Sequence, residues 1–236
     1  MCGVLEGNAP GVARDAVSAR SARQAVERAV FAQPLFGPGM GLVDVGCGPG
    51  SITLGIADGH RKSTVDFLVA DARALPFAEA SVDVVFAHAV FEQLKEPGAA
   101  LAEIRRVLKP GGSLALSTSD WSRARLRPKT ANVDAALRGH HLLCRRAGGD
   151  PFAGRSIPAA VTAAGFRDVR TKIRYRTDAT YRSLATYVEA CLVTALETAT
   201  TPDRDQLASA ARSAWSWARS GDGDFAQCWT ELLATR

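Results

Sequence analysis

Short apolar runs of strand length alternate along the chain with stretches of helical periodicity. Leu42, Val43 and Val45 make the first compact run, and glycines follow at 46, 48 and 50. Residues 51–60 then have helix-compatible spacing. Residues 64–70 and 81–87 are further runs that read as strands, and so are residues 113–119. Between the last two, Leu101, Ile104, Arg105 and Leu108 share a helix that Lys109-Pro110-Gly111-Gly112 stops. Strands alternating with helices predict an α/β fold whose mostly parallel sheet carries helices on both faces. Upstream, residues 1–12 lack periodicity and read as a loose tail. Ala22, Ala25, Val26, Ala29 and Val30 line one face of a helix within residues 14–33. Downstream, residues 183–198 form a helical stretch. Thr201-Pro202-Asp203 starts another helix, which carries Leu207, Ala210, Ala211, Ala214, Trp215 and Ala218 on one face. Residues 225–229 fit a strand or a helix equally well.

Composition narrows the class. At 236 residues and 47% hydrophobic content the chain suits one domain with a sizeable core. Residues 1–40 give a tail and helix, 41–120 a ligand-binding core, and 121–236 a substrate or lid region that completes the sheet. The net charge is +5. Two basic runs (Arg123 to Lys129, and Arg167 to Arg182) lack interleaved stacking aromatics, so they read as solvated surface and no nucleic-acid partner is expected. The five cysteines are widely spaced with no C-x-x-C, which argues against a disulfide framework or a metal site and for a reducing compartment. No signal-peptide pattern opens the chain and no apolar run reaches membrane-spanning length, so a cytoplasmic protein with no membrane partner is expected.

The glycine stretch carries the chemistry. A strand, a glycine turn and a helix start suit either a purely structural turn or a ligand cradle. Glycine reaches positive φ and lets a ligand approach the backbone, and a helix start offers unpaired N–H groups. Asp44, two positions before the first glycine, favours the cradle. Its carboxylate suits an ammonium, and the G-x-G-x-G spacing differs from the G-x-G-x-x-G of dinucleotide folds. Asp44-Val45-Gly46-Cys47-Gly48-Pro49-Gly50 resembles motif I of the class I S-adenosylmethionine (SAM) dependent methyltransferases. The ordered motifs VADARALPF, SVDVVFAHAV and EIRRVLKPGGSLALS extend the resemblance over about residues 14–120, to the small-molecule group that includes the ubiquinone and menaquinone biosynthetic methyltransferases. It implies a Rossmann-like fold, SAM as cofactor with S-adenosylhomocysteine (SAH) as product, and Asp44, Gly46, Cys47, Gly48, Pro49 and Gly50 at the cofactor.

The chain departs from that pattern in one place. Members have a strand and a helix between the glycine-loop helix and VADARALPF, and that strand ends in the carboxylate that holds the ribose. Here the unit is missing and the sheet is shortened. The expectation is that strand 65–70 moves beside strand 42–46, with Asp71 and Ala72 at the cofactor and Asp71 on the ribose, 21 residues after Gly50. Asp66 lies mid-strand and reads as an edge residue. The vacated edge could also pair with a second copy, giving a homodimer.

Methyl transfer needs in-line positioning more than a protein nucleophile, although an oxygen or carbon acceptor still needs a base. His88, at the carboxyl end of a strand, is the candidate catalytic and cofactor-side residue, with a loop-capping role as the equal alternative. Gln93 stands where relatives often carry histidine, and an amide is no base. Trp121, His140 and His141 are candidates for contact with a small-molecule acceptor. The reading is a SAM-dependent methyltransferase. The alternatives are a degenerate fold serving as a binding scaffold, and a SAM-binding enzyme that does not transfer methyl.

Overall fold

The computed structural model describes residues 25–59, 64–199 and 201–236. The predicted tail lies outside them, as does most of the N-terminal helix, of which α1 (Ala25–Ala29) is described. The apolar run before the glycines is strand β1 (Leu42–Val45), and helix α2 (Ser51–Asp58) follows the turn. Next come β2 (Val82–His88), α3 (Pro97–Val107) and β3 (Leu108–Ser119). The helix ends at Val107, just before the stop read at Lys109–Gly112, and those residues already belong to β3, where Gly111 takes a φ of +78°. The remaining elements are β4 (Arg125–Arg127), α4 (Ala131–Arg146), α5 (Ala153–Ala163), β5 (Arg167–Arg176), α6 (Tyr181–Glu197), α7 (Thr201–Arg219) and β6 (Asp224–Thr235). The undecided stretch 225–229 is therefore strand.

Strands β1, β2, β3, β6 and β5 lie side by side, and β4 pairs with the first residues of β6. β1, β2 and β3 run parallel, with Asp44 opposite Phe86 and His88 opposite Ser117. β6 is antiparallel to both β3 and β5.

The two sheet faces are distinct because side chains alternate along each strand. One face buries Val85, Ala87, Leu114, Leu116 and Leu232 under Leu101 and Ile104 of α3 and Ile157 and Val161 of α5. The other buries Phe86 and Ala115 under Ala29 and Ala32 on the α1 side and Ile52 and Ile56 of α2. Helices α4, α6 and α7 pack into a layer with its own core, built around Leu137, Val188, Leu192, Leu207 and Trp217. Gly139 lets α4 approach this closely, since a Cβ there would stand 2.4 Å from that of Ala210. Trp121 and Phe225 join this layer to the sheet.

One expectation fails. Residues 64–70 form no strand, and β1 pairs with β2 alone among the described residues. Phe67, Leu68 and Val69 are exposed, and the Phe67 ring packs against Gly50, where a Cβ would stand 2.5 Å from it. The segment that follows is fastened to α3 instead. Glu103 accepts from the Leu75 amide at 2.9 Å, and Arg106 donates to the carbonyls of Leu75 and Phe77. A strand beside the four-residue β1 would gain few ladder bonds and would need a further helix to cover its outer apolar face. Among the described residues no further helix forms that layer.

Candidate functional site

The site begins where β1 ends. Gly46, Gly48 and Gly50 have φ of +72°, +56° and +81°, the left-handed region that side chains disfavour. Gly46 also has a steric reason, since a Cβ would lie 2.3 Å from Val90 Cγ2. Gly46, Gly48 and Pro49 are exposed and Cys47 is half-buried with a free thiol. Burial pushes the Cys47 thiol up, and the nearby Asp44 adds to the shift. The loop thus presents backbone rather than side chains to a ligand.

Asp44 lies beside it. Thr53 Oγ1, from the first turn of α2, donates to Asp44 Oδ2 at 2.6 Å. Burial raises the Asp44 carboxyl from its ordinary 3.8 to about 6, with the Thr53 bond opposing. An arriving cation would recover this carboxylate's lost solvation, which suits an ammonium group.

The same face of the sheet continues the site. Asp44, Phe86 and His88 share it, because Asp44 is opposite Phe86 and His88 is two residues further on. His88 is 5% exposed and stacks on Trp229 of β6, with centroids 4.7 Å apart and planes at 22°. The two rings meet across β3, whose Ser117 and Ser119 are opposite Glu231 and Trp229. Sequence reasoning missed Trp229 because it left the β6 segment unassigned.

Asp71 sits elsewhere. Its exposed carboxylate is clasped by Arg73, through the backbone amide at 2.8 Å and through Nε and Nη2, and this holds it down at about 2. Arg73 also pairs with Glu96 at 2.6 Å. Asp71 therefore ends no strand beside β1, and the strand replacement that would put it on a ribose does not occur. Ala72 packs half-buried against the α3 side of the core, and Asp66 is exposed. Gln93 Nε2 donates to the Ala89 carbonyl at 2.5 Å, which closes the turn after β2.

The other three candidates do come together. Trp121 stacks on Phe225 at 6.0 Å and meets His140 and His141 at 6.1 and 5.6 Å. Phe152 and Tyr187 complete the cluster. Trp121 and His140 are buried and His141 is half-buried, so the cluster belongs to the junction between sheet and helical layer. Burial pushes His140 down to about 3 and His141 to about 4, which keeps both neutral near pH 7. Cys144 Sγ lies 3.9 Å from His140 Nε2. No described helix is long and apolar enough to cross a membrane.

Another buried carboxylate escaped the sequence reading. Glu92 is 1% exposed and accepts from Thr118 Oγ1 at 2.7 Å, while its carbonyl accepts from the Asp150 amide at 2.9 Å. It ties the loop after β2 to β3 and to the 148–152 turn. A carboxylate one residue before Gln93 gave no periodic signal.

Comparison with known proteins places this geometry. A methyltransferase-domain family, Methyltransf_11, matches residues 54–116. A probable methyltransferase of Aspergillus luteorubrus, ltbC, is 31% identical over 216 residues, spanning 75% of this chain and 74% of that protein. A demethylmenaquinone methyltransferase of Renibacterium salmoninarum is 30% identical over 49% of this chain and 56% of its own length. The chain spans about half the length of several of the curated relatives it matches. Among solved structures, a putative methyltransferase from Bacillus halodurans superposes with a TM-score of 0.57 at 15% identity, covering 89% of this chain and 98% of that one, a likeness of fold.

Proposed function

The chain belongs to the class I SAM-dependent methyltransferase family, and on that footing we propose that it binds SAM and transfers its methyl group to a small-molecule acceptor. The observation that carries this reading is the β1–α2 turn. Its left-handed glycines leave room for a ligand against the backbone, and Asp44 waits beside them with a carboxylate that burial has left short of solvation. These features fit the methionyl end of SAM, with Asp44 taking the ammonium. The ribose end has no strand-end carboxylate beside β1 among the described residues.

When bound, SAM supplies an electrophilic methyl carbon on a sulfonium. The chain's own residues orient and exclude water. Asp44 and the loop amides fix the donor end, and α1 covers the face on which His88 and Trp229 stand. Holding two reactants in line is itself worth several kcal/mol, or more than about 10³-fold in rate. His88, at the carboxyl end of β2, takes the proton released by an oxygen or carbon acceptor.

A small molecule suits the site better than nucleic acid. Arg174 and Arg176 of the second basic run turn to Glu231, and Arg125 of the first stacks on Tyr175 at 3.8 Å. The missing strand beside β1 favours one rival, a scaffold that binds no cofactor. Incubation with methyl-labelled SAM and a panel of small acceptors tests the proposal. Labelled product with equimolar SAH is expected. Bound SAM without SAH release would indicate non-methylating use, and no bound SAM would indicate the scaffold.

A further inference from the structure

Buried polar atoms without partners are few in folded chains, and where they gather they mark a ligand. Here several gather on the α1 face of the sheet. Arg28 Nε and Arg176 Nε are buried without an acceptor, and the hydroxyls of Ser117 and Ser119 are buried without a partner. Arg28 is 3% exposed. The two guanidinium groups are neighbours. Arg28 pairs with Asp178, two residues beyond Arg176, while Arg176 Nη2 donates to the Glu27 carbonyl at 2.6 Å. Their mutual repulsion adds to burial in pushing Arg176 down. Register places Ser119 opposite Trp229, with Ser117 and Arg176 two residues to either side of it along β6, on the strands that flank it. Arg28 lies 6.0 Å from the Trp229 ring, which stacks on His88.

Arg28, Arg174 and Arg176 stand among the carboxylates of Asp178 and Glu231, and Glu27 also acts on Arg176. We infer that this cluster is an anion subsite that takes the carboxylate of the methyl acceptor, so that the substrate class is a small, apolar or aromatic carboxylic acid. The guanidinium Nε–H groups of Arg28 and Arg176 donate to the carboxylate, and the acceptor's body lies against the stacked Trp229 and His88 rings. The inference rests on the methyltransferase reading for the word acceptor; the anion subsite itself does not.

Benzoate and its neutral isostere benzamide test it, titrated into wild-type protein saturated with SAH and followed by calorimetry and tryptophan fluorescence. Benzoate is expected to bind about tenfold or more tightly than benzamide, the effect of a charge-assisted hydrogen bond. Arg176→Gln is expected to abolish that preference, and Arg174→Gln, which shares Glu231 but has no orphaned Nε, to retain it. Equal binding of the two probes, or no binding of either to the SAH-loaded protein, overturns the subsite. Benzoate that binds only without SAH overturns it too, since the anion would then be the cofactor's own carboxylate. If SAH does not bind but the benzoate preference persists, the anion subsite stands and the methyltransferase reading falls. Should Arg176→Gln fail to fold, Arg176→Lys, which keeps the charge and removes the Nε donor, must weaken benzoate without weakening benzamide.

Discussion

At the residue scale, Asp44 does two opposed things. Its carboxyl titrates near 6 in the folded chain against 3.8 ordinarily. Folding therefore favours the protonated form, and Asp44's contribution to stability declines as pH rises from about 4 through about 6. The charge that folding disfavours is the one an ammonium ligand needs. SAH affinity is expected to be flat above pH 6 and to weaken as pH falls below it, approaching tenfold per unit. Asp44→Asn is expected to lose that dependence, and calorimetry between pH 4.5 and 8 checks it. Gly46 meets two constraints at once, a φ of +72° and a Val90 methyl 2.3 Å from any added Cβ. Gly46→Ala is expected to cost about 2 kcal/mol or more in denaturant unfolding, from left-handed strain plus overpacking. These residues were legible because a glycine turn and a carboxylate beside it leave a local pattern. Arg28, Trp229 and Glu231 were not legible. They meet only through the packing of α1 on the sheet and the register of β3, β5 and β6, and no spacing in the sequence encodes either.

At the element scale, local periodicity foretold β1, α2, β2, α3, α6 and α7 and the apolar part of β3. Each has a face that repeats at its own period, and each ends at a residue that breaks it. The α6 start adds a capping box. The Thr180 side chain accepts from the Ser183 amide at 3.0 Å, and Ser183 Oγ accepts from the Thr180 amide at 2.9 Å. Thr180→Ala is expected to destabilise the chain by about 1 kcal/mol, measured as a shift in urea midpoint with unchanged slope. Residues 64–70 show where the pattern misleads. Val65, Phe67, Leu68 and Val69 read as a strand, yet strand formation needs a partner edge and a cover for each apolar face. β1 offers four residues of edge, and Phe67 turns its ring to Gly50 instead. The failed ribose assignment of Asp71 follows from that. β6 erred the other way. Its Phe225-Ala226-Gln227-Cys228-Trp229 start has no clean alternation, but insertion between β3 and β5 makes it a central strand, buried on both faces.

At the scale of the whole molecule, the sheet runs from the glycine strand β1 through β2, β3 and β6 to β5, and among the described residues no strand lies on the other side of β1. Helices α4, α6 and α7 add a second core, joined to the sheet through Trp121 and Phe225. The α1 face then carries a continuous polar row, from Asp44 through His88 and Ser117 to Trp229, Glu231 and Arg176. A left-handed glycine loop beside Asp44, with no second strand beside β1 among the described residues, makes cofactor binding the decisive question. The direct measurement is calorimetric titration of the folded wild-type protein and Asp44→Asn with SAH. The account predicts one-to-one binding by wild type, weakened about tenfold or more in the variant as a charge-assisted contact is lost. An absence of binding by folded wild type, or equal binding by both proteins, would contradict it.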